Sequence, residues 1–174
     1  MRTKKLQELL AKAFANKIKV LITGAPGIGK TAIIKQVTTE LGYHLRMFHP
    51  AVDESVDYKG FPTRDGDKGI FLPFGNLYEL TVATEPTVAV FDDLGQGDDS
   101  VLKACMQLFH GGNLNGMKIS DQVVFCAATN DVGQMSGVTG LLEPIKSRFH
   151  TIVKAEVHYE DWVDWANGAK VDSS

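Results

Sequence analysis

The stretch Ile18-Lys-Val-Leu-Ile-Thr-Gly24-Ala-Pro-Gly-Ile-Gly-Lys30-Thr31 limits the folds open to this chain more than any other segment. Ile18, Val20, Leu21 and Ile22 make a short apolar run of the kind that fills a buried strand, and the run stops at Gly24. From there Gly24-x-x-x-x-Gly29-Lys30-Thr31 fits the P-loop pattern, and Ala32, Ile33, Ile34 and Val37 continue at helical spacing. Strand, glycine loop and helix in that order is the context the pattern requires. Glycine lets successive amides turn inward around a phosphate, and the helix N-terminus adds partial positive charge. The expected cradle is Gly24, Ala25, Pro26, Gly27, Ile28, Gly29, Lys30, Thr31 and Ala32. Lys30 is placed to reach the β- and γ-phosphates of a nucleoside triphosphate, and the Thr31 hydroxyl to ligate Mg²⁺.

Around this unit, hydrophobic spacing predicts alternating helices and strands. Leu6, Leu9, Leu10, Ala13 and Phe14 recur at three- and four-residue steps, so an amphipathic helix leads in over residues 3 to 17. The P-loop helix is expected to run to about Glu40 and end at Gly42, followed by a strand from His44 to Phe48. Residues 51 to 75 read as a solvated hairpin, with Thr63 to Gly69 as its tip, and a short helix follows Asn76. Thr87-Val-Ala-Val-Phe91 is a buried strand ending in Asp92-Asp93, and the next helix is capped by Asp99 or Ser100 and ended by Gly111-Gly112. Asn115-Gly116 is a two-residue hairpin signal leading to the strand Val123 to Ala128, with Thr129-Asn130 at its end. Gly133 to Gly140 is a glycine-rich loop, Leu141 to Arg148 a short helix, and His150 to Val153 a fifth strand. Such alternation predicts a parallel sheet covered on both faces, whose ligand lies beyond the strand C-terminal ends.

Lys30, Asp92, Asp93 and Asn130 all fall at or just past such ends. Asp92 then holds Mg²⁺ through its water shell, Asp93 polarises an attacking water, and Asn130 positions that water against the γ-phosphate. Taken alone, the two aspartates are also compatible with capping the following turn, Asn130 with capping a turn, and Arg148 with solvating a helix end.

A net charge of −3 and a pI near 5.9 provide no electrostatic footprint for tight nucleic-acid binding. No apolar run reaches the ~20 residues of a membrane span, and residues 1 to 17 are too charged for a signal peptide, so a cytoplasmic setting is expected. Cys105 and Cys126 lie in apolar company and read as reduced core residues rather than a disulfide or metal ligands.

Gly24 to Thr31, Phe91-Asp92-Asp93, Ala127-Ala-Thr-Asn130 and Ser147-Arg148-Phe149 occur in an order that resembles the AAA+ ATPases, over nearly the whole chain. Four details resemble the MoxR branch: Asp57-x-x-Gly60-x-Pro62 with the hairpin after it, Val124-Phe-Cys-Ala-Ala-Thr-Asn130, Leu141 to Phe149, and Asp161-Trp-Val-Asp-Trp-Ala166. The resemblance implies an α/β fold with a five-stranded parallel P-loop NTPase sheet, helices on both faces and a β-hairpin insertion after the second strand. Residues 1–160 would be the ATPase core, with the insertion at about 53–75, and 161–174 the start of a linker to a helical lid that the chain lacks. It further implies ATP and Mg²⁺ as cofactors and a ring, commonly of six subunits, in which Arg148 acts on a neighbour's nucleotide. The client would be another protein, among them proteins with von Willebrand factor A domains, met by the hairpin of residues 60 to 74.

The chain departs from that pattern in carrying Asp93 where the branch has glutamate, which implies slow hydrolysis. Its four arginines are Arg2, Arg46, Arg64 and Arg148, so none follows the fifth strand, and the sensor-two arginine is missing. Two other readings stand beside the remodelling motor. One is a nucleic-acid-associated AAA+ protein of the helicase-loader or restriction-motor kind, and the other is a slow nucleotide-dependent switch. Guanine-specific GTPases are disfavoured because no Asn-Lys-x-Asp run is present.

Overall fold

A computed structural model of the protein describes residues 1–130 and 142–156, with positions 158 and 163. Five strands form one parallel sheet: β1 (Val20–Gly24), β2 (His44–Phe48), β5 (Thr87–Phe91), β8 (Val123–Asn130) and β9 (Thr151–Lys154). Their order is β2-β5-β8-β1-β9, so the first strand lies inside the sheet, between the fourth and fifth core strands. Two antiparallel hairpins stand apart from it, β3 (Phe61–Asp65) with β4 (Lys68–Leu72), and β6 (Asn113–Leu114) with β7 (Met117–Lys118).

The central strands read as unbroken apolar runs because both of their faces are covered. Val20, Ile22, Val88, Val90, Val124, Cys126 and Ala128 face helices α1 (Thr3–Ala15) and α2 (Lys30–Glu40). Leu21, Ala89, Phe91, Phe125 and Ala127 face the other way. They meet α3 (Ser55–Lys59), α4 (Gly75–Val82), α5 (Asp99–Gly111) and α6 (Leu142–Lys146). Aromatic rings fill much of this second layer, with Phe91 stacked on Phe48 at 4.8 Å and edge-on to Phe109 at 4.7 Å.

The five-stranded parallel sheet, the helices on both faces and the hairpin after β2 match the expectation. Two local features differ from it. The insertion opens with a helix, α3, held by a reciprocal Glu54–Asp57 capping box and by the fully buried Tyr58. Tyr58 donates its hydroxyl to Asp53 at 2.7 Å, and burial with that bond pushes its pKa well up. Asp98, rather than Asp99 or Ser100, caps α5, accepting from the amides of Ser100 and Val101 at 2.9 Å each. At the predicted Asn115-Gly116 turn, φ is 50° and 85°, the paired left-handed conformation that a two-residue hairpin needs. Cys105 and Cys126 are buried free thiols, and burial raises both of their pKa values.

No helix among the described residues is long and apolar enough to cross a membrane. The predicted glycine-rich loop at 133–140, the predicted helix start at Leu141 and, apart from position 163, the Asp161–Ala166 run and the 161–174 linker lie outside the described residues.

Candidate functional site

Parallel register brings the site together. Gly24, the last residue of β1, pairs with Asn130, the last of β8, and Phe91 at the end of β5 pairs with Ala127. The P-loop, the Asp92-Asp93 pair and Asn130 therefore emerge at the same edge of the sheet.

Lys30, the first residue of α2, is 6% exposed. Its ammonium donates to the carbonyls of Gly24 at 3.1 Å and Ala25 at 2.9 Å, and to Asn130 Oδ1 at 2.9 Å. The Thr31 hydroxyl donates to Asp92 Oδ1 at 2.7 Å. Asp92 also accepts from the amide of Asp93 at 3.2 Å, and its own amide donates to the Phe48 carbonyl at 3.0 Å. Asp93 stands at φ 51°, and the chain turns immediately into a short 3-10 turn, Leu94–Gln96.

The residues fit a triphosphate with magnesium. Gly29 precedes α2 with φ 84° and supplies no side-chain cap, so the first amides of the helix, those of Lys30, Thr31 and Ala32, have no competing carboxylate or hydroxyl from the cap position. Ala25 to Gly29 form a largely exposed arch, and Cβ atoms built at Gly27 and Gly29 would meet no atom within 4 Å. The open side of the loop thus leaves its backbone reachable by a phosphate. Gly24 is glycine for a different reason. A Cβ there would lie 2.8 Å from the Ala155 carbonyl and 2.7 Å from Ile28 Cδ1. For the metal, Thr31 and Asp92 present two hard oxygen donors side by side, and no cluster of three His, Cys, Asp or Glu residues suited to a metal occurs among the described residues. That donor set suits Mg²⁺, which takes one or two protein oxygens together with water and phosphate, and does not suit a closed zinc or calcium cage.

Arg148 is not brought to this edge. Ile145 and Phe149, four residues apart, are both buried against the aromatic layer, and Arg148 is held between them, just before β9. The amides of His150 and Thr151 donate to Lys19, at the start of β1. β1 has five residues, and at about 3.3 Å per residue it separates Arg148 from this chain's own P-loop by roughly 16 Å. The Arg148 Nε is buried with no hydrogen-bond partner among the described residues. Burial, and then the nearby Arg148 guanidinium, lower the pKa of Lys19. Arg148 lines a cavity of about 370 Å³ with Gln107, His110, Asn113 and Asn115.

Sequence reasoning missed one residue at this edge. Thr129 is fully buried, and its hydroxyl oxygen accepts from the amide of Gly95 at 3.2 Å. The available signal was a lone hydroxyl following six apolar residues and directly preceding Asn130.

No family model matches the chain, and no curated protein matches it in sequence. Solved structures do resemble it. RuvB from Thermotoga maritima, a Holliday junction branch migration motor, superposes with a TM-score of 0.62 at 19% identity, covering 98% of this chain and 51% of its own. Its P216G mutant gives 0.64 at 19% identity, with 95% and 49% covered. A protein from Cytophaga hutchinsonii described as a candidate ATPase gives 0.63 at 16% identity, with 98% and 51% covered. The chain spans about half the length of these solved chains. With its strand order and glycine loop, it has the α/β P-loop NTPase fold that these solved structures share.

Proposed function

We propose that this chain binds ATP with Mg²⁺ and hydrolyses it slowly as one subunit of a MoxR-like ring that remodels another protein. The observation that carries the reading is the meeting of Lys30, Thr31, Asp92 and Asn130 at one sheet edge through bonds of 2.7 to 2.9 Å. Lys30 exchanges its loop carbonyls for phosphate oxygens. Thr31 and Asp92 are the residues that hold Mg²⁺, which when bound neutralises charge on the phosphates. Asp93 polarises the attacking water and Asn130 orients it, a division of labour that is mostly positioning and electrostatics.

The roughly 16 Å between Arg148 and its own P-loop supports a role on a neighbouring copy. A guanidinium supplied in this way stabilises charge on the transferring phosphoryl group, and its loss costs about 10³- to 10⁵-fold in rate. The insertion hairpin supports the client-binding part, since Phe61 is 58% exposed and Leu72, its cross-strand partner, 55%. Apolar side chains paired on an exposed hairpin face suit contact with another protein.

Mixing tests the whole reading. Lys30→Met and Arg148→Ala are each expected to be inactive alone, and an equimolar mixture is expected to recover part of the ATPase rate. A mixture as inactive as its components, or a fully active Arg148→Ala protein, removes the shared-site reading. A second reading, a nucleotide-dependent switch, is favoured by Asp93. Nucleotide-dependent assembly seen by light scattering, with no phosphate release, would establish it.

A further inference from the structure

Four polar or charged side chains are buried among the described residues: Lys30, Thr38, Thr87 and Thr129. Two are satisfied locally, Thr38 by the Ile34 carbonyl in its own helix and Thr87 by the Glu85 carbonyl two residues earlier. Lys30 belongs to the P-loop. Thr129 accepts from a buried amide 34 residues away in sequence, that of Gly95. Valine would fill the same space on a strand that is otherwise apolar through Ala128, so the hydroxyl is there for that bond.

We infer that Thr129 is a positioning residue for Asp93, an inference that rests on the hydrolysis reading above. Asp93 sits in a left-handed conformation that few side chains adopt unaided, and its surroundings hold it there. Upstream, the Asp92 amide is tied to Phe48 of β2. Downstream, Gln96 donates to the Asp93 carbonyl at 2.8 Å, Leu94 is fully buried, and Gly95 donates to Thr129. The Gly95–Thr129 bond joins the turn that aims Asp93 to the strand whose next residue, Asn130, accepts from Lys30. It therefore sets the spacing between the group that polarises water and the groups that hold the phosphate. Without the hydroxyl, the Gly95 amide is buried with no acceptor, and the turn must shift to find one.

The test compares Thr129→Val, which keeps the shape, with Thr129→Ser, which keeps the oxygen. Steady-state hydrolysis, binding of a fluorescent ATP analogue, thermal melting and amide exchange at Gly95 are read on each variant of the chain. The valine form is expected to lose about 10- to 100-fold in kcat, in line with a displacement near 1 Å, with analogue affinity unchanged within about two-fold. Gly95 exchange is expected to rise at least about ten-fold, and serine to restore both within about three-fold. Wild-type kcat in the valine form, unchanged Gly95 exchange, an equal loss of affinity, or a serine form as impaired as valine would each overturn the inference. Should the valine form not fold, Thr129→Ala takes its place in every comparison. A wild-type chain that neither binds nor hydrolyses ATP removes the hydrolysis reading instead, whereas an active wild type with an unaffected valine form removes only this inference.

Discussion

Replacing Asp93 with glutamate sets two effects of one residue against each other. The added methylene carries the carboxylate outward by about 1.5 Å, and a misplacement of about 1 Å at a reacting centre is worth about 10²-fold in rate. If Asp93 is the group that polarises water and its reach limits turnover, Asp93→Glu should raise the hydrolysis rate by about 10- to 100-fold. The backbone opposes the change. Asp93 has φ 51°, a conformation that aspartate tolerates through short local hydrogen bonds and glutamate does not share to the same degree. The cost is about 1 kcal/mol, or roughly 2 to 4 °C in melting temperature for a chain of this size. The Thr31–Asp92 bond is untouched, so nucleotide affinity should hold. Phosphate release and a thermal melt on both forms decide the matter, with a faster but less stable glutamate enzyme expected. A folded Asp93→Glu protein with an unchanged or lower rate refutes the geometric reasoning.

Other expectations rest on single contacts. Gly24→Ala forces its Cβ to 2.8 Å from the Ala155 carbonyl, a backbone atom that cannot swing aside, and should cost about 1 to 3 kcal/mol, or about 2 to 10 °C. Gly27→Ala meets nothing within 4 Å and is opposed only by its φ of 76°, so thermal melts should show the smaller loss there, about 1 kcal/mol. Tyr58→Phe leaves Asp53 Oδ2 with the His49 amide at 2.7 Å as its remaining donor among the described residues, and urea titration should show a loss of about 1 to 2 kcal/mol. The α5 cap confers a pH dependence. Hydrogen bonds from Val101 and Ser100 hold the Asp98 carboxyl below its ordinary value. Its contribution is thus present above the usual aspartate range near pH 4 and is lost as pH falls through the folded value. Asp98→Asn keeps an acceptor, so urea titrations at neutral and acid pH should show a shallower acid limb than wild type.

The parts of the fold that could be read from sequence are those where one physical requirement dominates. β5 is five consecutive buried residues ended by two acids, and β2 is bounded by Gly42 and Pro50, so their limits follow from burial and backbone punctuation. The helix α3 was hidden because only Tyr58 of its five residues is buried. The two acids of its capping box look, in sequence, like loop punctuation. The cap of α5 fell one residue earlier than expected because Asp98, Asp99 and Ser100 are all competent caps, and only hydrogen-bond geometry separates them. Thr129 was placed at the end of the strand Val123 to Ala128, beside Asn130, and a threonine there carries no mark of what its hydroxyl meets. Lys30, Asp92, Asp93 and Asn130 were predictable as a group because each sits at the same end of a strand. Arg148 could be placed only once the fifth strand was known to lie beside the first.

That placement has a mechanical consequence. Phe91 immediately precedes Asp92, and Phe149 immediately follows Arg148. Phe109 packs against both, with ring centroids 4.7 Å and 5.0 Å away, and Phe125 adds a contact to Phe91 and to Phe109. The Asp92 edge and the arginine edge of one copy are therefore opposite ends of a single close-packed aromatic block, and such interiors deform little. On the ring reading, the distance from Arg148 to a neighbour's phosphate cannot be adjusted by stretching either chain. It has to change through rigid movement of one copy against the next, so hydrolysis at one boundary is tied to the orientation of a whole subunit rather than to the position of one side chain.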